Sequence, residues 1–343
     1  MLINFGVQRG FFIGKNMEKE YEQSISFYIE EMQEVFAKEL TPELAKVYVD
    51  SLIEKLGGEN QSLESLIDKG VELHFKVGKD LYGPLLVGFS QWVAKKIGEI
   101  GHTGPVFFVL RDAAPLKAAA DVMWNGRDTY PVAVYANRPL LGIEDEISPE
   151  WSNVNGNLVA YLKSLGLADS KKIVWVDSGA WGTVPKVLKE HMLQHSEFHP
   201  LFWYSHNPYI PGFLNELISV SGIDPKFGEI LNDSLECVFP QPFKRPLDIS
   251  KWKYGWQVGF KPSGLLSYKW GQAALSGVHF CAEEKFLSGG IGVEEGIVNL
   301  HQLVKLSQFA KENNVWTGIL PTNTPTWSKG EEFLANWNPN LLP

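Results

Sequence analysis

From Met17 to about Ile100 apolar residues recur at three- and four-residue spacing, as in Ile25, Tyr28, Ile29, Met32, Val35 and Phe36. That period predicts an all-helical entry of about four helices. Thr41-Pro42-Glu43-Leu44 reads as an N-cap, a first-position proline and a helix start. Gly57–Asn60 and Tyr82-Gly83-Pro84 supply the remaining breaks.

The pattern then changes to short continuous apolar runs, as buried parallel strands show, separated by helical stretches. Strands are predicted at Val106–Leu110, Pro131–Tyr135, Lys172–Val176 and Leu201–Tyr204. Helices are predicted at Pro115–Trp124, Glu150–Leu165 and from Thr183 to about Met192. Such alternation implies a Rossmann-like, mostly parallel α/β sheet with right-handed crossovers. After about Phe239 the chain is richer in Pro, Gly and Trp, and only Glu294–Lys311 stands out as a helix. The expected organisation is a helical region over 1–100, the α/β domain over 101–245, and an irregular extension or cap over 246–343.

Composition narrows the function classes. With 343 residues and 44% apolar content the chain can bury a large core. A net charge of −9 disfavours nucleic-acid or anionic-membrane partners, which need a cationic face, and leaves a small metabolite as the expected partner. Cys237 and Cys281 are too few for a disulfide framework, and no run of about 18 apolar residues suggests a membrane span. Met1–Lys15 lacks a signal-peptide core, so a cytoplasmic protein is expected.

Open α/β sheets bind ligands beyond the carboxyl ends of their strands, and here those positions are polar. The first strand runs into Arg111-Asp112, the second into Asn137-Arg138, and the third into Asp177-Ser178-Gly179-Ala180-Trp181-Gly182-Thr183. In the last loop glycines admit a ligand close to the backbone, hydroxyls flank it, and a following helix contributes partial positive charge. Phosphate fits there, with Asp177 on ribose-type hydroxyls or Mg²⁺ and Asp112 as a second metal candidate. A plain strand-to-helix turn capped by Thr183 is the competing reading. Likewise Arg111-Asp112 either grips an anion or forms a local salt bridge, and Arg138 is either in the crevice or solvated.

Standard chemistries match only in part. Asp112 stands where a haloacid-dehalogenase nucleophile would, but Ala114 occupies the place of the second aspartate that moves the proton. Ile173–Thr183 is similar to the phosphoribosyltransferase signature of an apolar strand, acid and Thr/Gly loop, with one acid instead of two. His191, His195 and His199 have the spacing of one helix face, although Pro200 and the lack of a paired glutamate favour an ordinary helix end over a metal site. Trp252-Lys253-Tyr254-Gly255-Trp256 offers aromatic rings for stacking or for packing.

Several segments occur in a recognisable order. They are Gly83-Pro84-Leu85-Leu86-Val87-Gly88-Phe89-Ser90-Gln91-Trp92, Leu110-Arg111-Asp112-Ala113, Tyr135-Ala136-Asn137-Arg138, Asp177 to Gly182, and Leu235-Glu236-Cys237-Val238-Phe239-Pro240. Over about residues 80–245 they resemble a domain of bacterial surface-polysaccharide and glycosyltransferase gene clusters, often fused behind a haloacid-dehalogenase-like hydrolase domain. Ala113 replaces its usual Gly, Asn137 its usual Ser, and Ala180 is inserted before Trp181. The resemblance implies a shared fold and adds Glu236 to the site, but it imports no reaction. The expected function is an enzyme acting on a phosphorylated sugar or nucleotide, by phosphoribosyl or glycosyl transfer, with Asp112, Asp177 and Glu236 catalytic. Arg111, Asn137, Arg138, Ser178, Gly179, Trp181, Gly182 and Thr183 would bind substrate. The alternatives are a phosphohydrolase using Asp112 and a non-catalytic sugar- or nucleotide-binding module or scaffold for envelope synthesis.

Overall fold

Four parallel strands, β1 (Gly104–Val109), β2 (Thr129–Val134), β3 (Lys172–Asp177) and β4 (Glu197–Phe202), pair in the order β2-β1-β3-β4. The structure is a computed structural model and describes residues 71, 74–110, 112–137, 139–141, 156–179, 181–239, 243–252, 255–262 and 265–312. The chain divides into two compact units, Met1–Ser65 and Leu66–Pro343, and the described residues belong to the second. The helices expected between Met17 and Asn60 lie outside them.

The α/β expectation holds, because β1 and β3 are central and covered on both faces. Val106, Phe108, Val174 and Val176 enter one core, while Phe107, Val109, Ile173 and Trp175 enter the other. Continuous apolar runs are the consequence of that double burial. Helices α1 (Gly83–Ile100) and α2 (Ala114–Met123) lie on the first face, and α3 (Gly156–Ser164) and α4 (Thr183–His191) on the second. The β1-to-β2 step runs one way across the sheet and the next two steps run the other way. Crossovers of a single hand must then put their helices on opposite faces.

The edge strand β4 begins at Glu197, four residues before the predicted Leu201. Its Glu197 is exposed and Phe198, His199 and Pro200 are only half-buried, which hides the strand from a search for apolar runs. Prolines in β2 and β4 sit on the two edge strands, where a missing N–H costs least.

Tyr82-Gly83-Pro84 does not break the helix. A π-helical turn, Val77–Tyr82, runs directly into α1, and the Gly83 N–H bonds to the Gly78 carbonyl five residues back. This wider turn absorbs the bond that Pro84 cannot donate. Helix α1 is apolar on most of its circumference because it packs towards the sheet on one side and against later helices on the other.

After β4 come α5 (Phe213–Ser221), α6 (Phe227–Val238), the antiparallel hairpin β5 (Phe243–Trp252) and β6 (Gly255–Pro262), and helices α7 (Leu265–Leu287) and α8 (Val293–Glu312). The region expected to be mostly irregular therefore holds a hairpin and a 23-residue helix besides the predicted one. Ala273, Ala274, Val278, Cys281 and Ala282 of α7 are buried, and these small side chains mix with polar ones without forming a clear apolar stripe. Trp256, at the start of β6, packs edge-on against Tyr161 at 6.0 Å, which is the packing role for that residue. Among the described residues no helix is long and apolar enough to cross a membrane.

Burial pushes the Cys281 thiol up to about 11, against the opposing pull of Lys285. At about pH 8 it stays protonated, and the protonated thiol is the unreactive form. Alkylation of Cys281 by iodoacetamide is expected to be at least roughly 100-fold slower in the folded protein than in denaturant. Peptide mapping by mass spectrometry measures it, and similar rates in both states would contradict the burial described.

Candidate functional site

Strand order reverses between β1 and β3, since β1 is followed in the chain by β2 on one side while β3 lies on the other. Beyond the carboxyl ends of these strands the flanking helices α2 and α4 lie on opposite faces, the arrangement at which open α/β sheets carry their ligand crevice. Phe108 pairs with Val176, so the next register step sets Val109 opposite Asp177. Neighbouring strands are about 4.8 Å apart, so the segments after β1 and β3 issue side by side. The two loops singled out in the sequence thus share the sheet's switch point.

The β1 loop is short. Leu110 donates its N–H to Val134, extending the pairing with β2, and the Ala113 N–H returns to the Val109 carbonyl at 3.1 Å. Half-buried Asp112 is carried on this turn immediately before α2. Arg111 lies outside the described residues, as do Arg138 and Ala180.

The β3 loop is tied to β4 by backbone bonds. Trp203 donates to the Asp177 carbonyl at 2.9 Å and Tyr204 to the Ser178 carbonyl at 3.0 Å. Asp177 Oδ1 accepts the Ser178 N–H at 2.8 Å and lies 3.5 Å from the Ser178 hydroxyl, so the carboxylate is steered by its own loop. Ser178 is buried beneath it. Gly179 has φ of +126°, and a Cβ there would meet the Tyr204 carbonyl oxygen at 1.9 Å. Its presence follows from this close approach of two backbones.

Gly182, with φ of +79°, precedes α4, and Thr183 is the helix's first residue instead of its cap. The third helical residue is Pro185, which has no N–H. The helix start can therefore offer an anion the N–H groups of Gly182, Thr183 and Val184 only. That is a narrower cradle than the sequence suggested.

Asn137 Oδ1 accepts the Leu140 N–H at 2.9 Å, and its carbonyl accepts the Leu141 N–H, so it caps the short helical turn Pro139–Leu141. Glu236 belongs to α6, but its side chain lies outside the described residues. His191 ends α4, His195 follows it, and His199 is on β4, so the three histidines do not share a helix face. Among the described residues no group of three or more His, Cys, Asp or Glu is arranged to hold a metal ion. A Mg²⁺ ion needs less from the protein, because it commonly takes one or two carboxylates and completes its shell with water and phosphate. Asp112 and Asp177 fit that smaller requirement by type and by strand position.

Sequence reading missed the contribution of the loop after β4. The Trp181 ring, 68% exposed, stacks on His206 with centroids 4.5 Å apart and planes 27° from parallel. Beneath, Tyr204 meets His206 edge-on at 4.9 Å, with its hydroxyl 3.5 Å from Nδ1, and Glu229 of α6 lies 3.8 Å from Nε2. Burial, with help from the Glu229 charge, raises the Tyr204 hydroxyl above its ordinary range and keeps it protonated. No local signal marked His206, because its partners come from three separate segments.

No protein-family model matches this chain, and no curated protein does so either.

Proposed function

We propose that this chain is an enzyme acting on a phosphorylated sugar or nucleotide, most concretely by phosphoribosyl or glycosyl transfer. The observation that supports this reading is the reversal of strand order between β1 and β3, with Asp112 after one and Asp177–Thr183 after the other. Such a crevice is where open α/β sheets take ligands. Asp177 binds sugar hydroxyls, and the N–H groups from Gly182 to Val184 receive a phosphate oxygen. Arg111 and Arg138 are assigned to the charge of the leaving anion, and Glu236 to the ligand, by their residue types alone. Bound Mg²⁺ would neutralise phosphate charge beside Asp112 and Asp177. Catalysis in this scheme is positioning and electrostatic stabilisation. A cytoplasmic role in polysaccharide assembly belongs to the same proposal, drawn from the resemblance over residues 80–245.

Hydrolysis through Asp112 is less favoured, because Ala114 opens α2 where the proton-transferring aspartate would stand. Beryllium fluoride trapped on Asp112 in the presence of Mg²⁺ would reverse that preference.

The test is calorimetric titration of the full chain with phosphoribosyl pyrophosphate and with a sugar nucleotide, each with Mg²⁺, followed by assay for transfer. Asp177→Asn is expected to weaken binding at least about tenfold, with little change in thermal stability, because a charge-assisted contact is lost. If neither ligand binds the wild type, or if Asp177→Asn leaves affinity untouched, the reading fails. Tight binding without turnover would instead make the chain a binding module.

A further inference from the structure

Among the tryptophans whose side chains are described, Trp181 alone is exposed, while Trp124, Trp175 and Trp203 are buried and Trp92 and Trp256 half-covered. An exposed indole presents a flat apolar face on which a planar ligand can stack. Its position is not that of a loosely held surface ring. One face lies on His206, and His206 in turn meets the Tyr204 side chain, edge-on and with the hydroxyl 3.5 Å from Nδ1, while Glu229 lies 3.8 Å from Nε2. Gly228 lets α6 approach this brace, since a Cβ there would meet the Tyr204 ring at 2.3 Å. The indole thus has a ring behind one face before any ligand arrives, and it sits in the same loop as Asp177 and directly before Gly182.

We propose that Trp181, braced by His206 and Tyr204, is a stacking platform for the base of a nucleotide whose phosphate lies at the start of α4. This rests on the phosphometabolite reading of the site and extends it by naming the part of the ligand that reads as a nucleoside. A planar base continues the parallel stack already formed by the imidazole and indole, and aromatic rings hold bases by this contact with little dependence on their edges. Edge discrimination can come from Asn207. Its Oδ1 accepts the Tyr209 N–H, and its Nδ2 lies 3.9 Å from where a Gly182 Cβ would stand, so the carboxamide borders the loop. His206 and Tyr204 are positioning residues in this scheme, and Trp181 is the contact.

The test uses the full chain with two probes, adenosine 5′-diphosphate and ribose 5-phosphate, titrated with Mg²⁺ by calorimetry. Trp181→Ala is expected to weaken the nucleotide roughly tenfold or more while ribose 5-phosphate changes by less than about twofold. Trp181→Phe should retain most of the affinity, and His206→Ala should fall between the two. In proton NMR spectra the adenine H2 and H8 signals should move upfield on binding to wild type, from the indole ring current, and not on binding to Trp181→Ala. If Trp181→Ala weakens both probes equally, the residue shapes the loop and the platform is overturned. If ribose 5-phosphate binds and the nucleotide binds no more tightly, the platform fails while the phosphometabolite site stands. If neither probe binds, both fall.

Discussion

Gly179→Ala is expected to destabilise the protein by about 3 kcal/mol or more, and to remove ligand binding with it. A methyl group there would stand 1.9 Å from the Tyr204 carbonyl oxygen, and φ of +126° is a conformation that side chains rarely adopt. The oxygen cannot move freely, because the Tyr204 N–H is bonded to the Ser178 carbonyl, which holds the two chain segments together. Either the β3 and β4 extensions separate or the loop refolds, and both displace Asp177 and Trp181. Gly126→Ala is the matched control. Its φ of +79° also favours glycine, but a Cβ would meet nothing within 4 Å, so its cost should be about 1 kcal/mol. Urea unfolding monitored by circular dichroism measures both. Equal, small losses at the two positions would show that the β3 loop is not held as described.

Phe89→Ala is expected to cost about 3–5 kcal/mol, while any ligand affinity of the folded fraction is unchanged. Phe89 is fully buried, with its ring 5.8 Å from Trp203 at 68° and 5.7 Å from Phe213 at 82°, and 5.8 Å from Trp92. Trp203 and Phe213 are themselves 5.4 Å apart. One side chain of α1 thus ties the segment after β4 to the start of α5, and truncation would leave a cavity lined by rings that cannot collapse independently. Phe89→Leu should cost much less, about 1.5 kcal/mol. A loss below about 1 kcal/mol for the alanine variant, at an unchanged denaturant slope, would sink this account. Phe89 belongs to the Gly83–Trp92 segment, one of those that carry the resemblance. Its buried residues serve the core. At its far end the Trp92 indole N–H donates to Glu216, and the Lys96 ammonium pairs with the same carboxylate at 3.0 Å, fastening α1 to α5.

By itself the sequence determined the α/β class, the central strands and the crossover helices from α2 to α4. Those elements are set by local periodicity and by burial on both faces, which leave continuous apolar runs at β1 and β3. It also showed that polar residues follow the strands, and so where a ligand would be sought. Strand order was not legible, because it depends on pairing between segments separated by a helix, and only that order makes the ends of β1 and β3 neighbours. The edge strand β4 started early because half-covered residues carry no apolar run, and α7 was missed because small buried residues leave no stripe. The same reason explains the loop after β4. Trp181, Tyr204, His206 and Glu229 come together only when β4 lies beside β3 and α6 packs beneath, so tertiary packing alone decided that the exposed indole has a fixed backing.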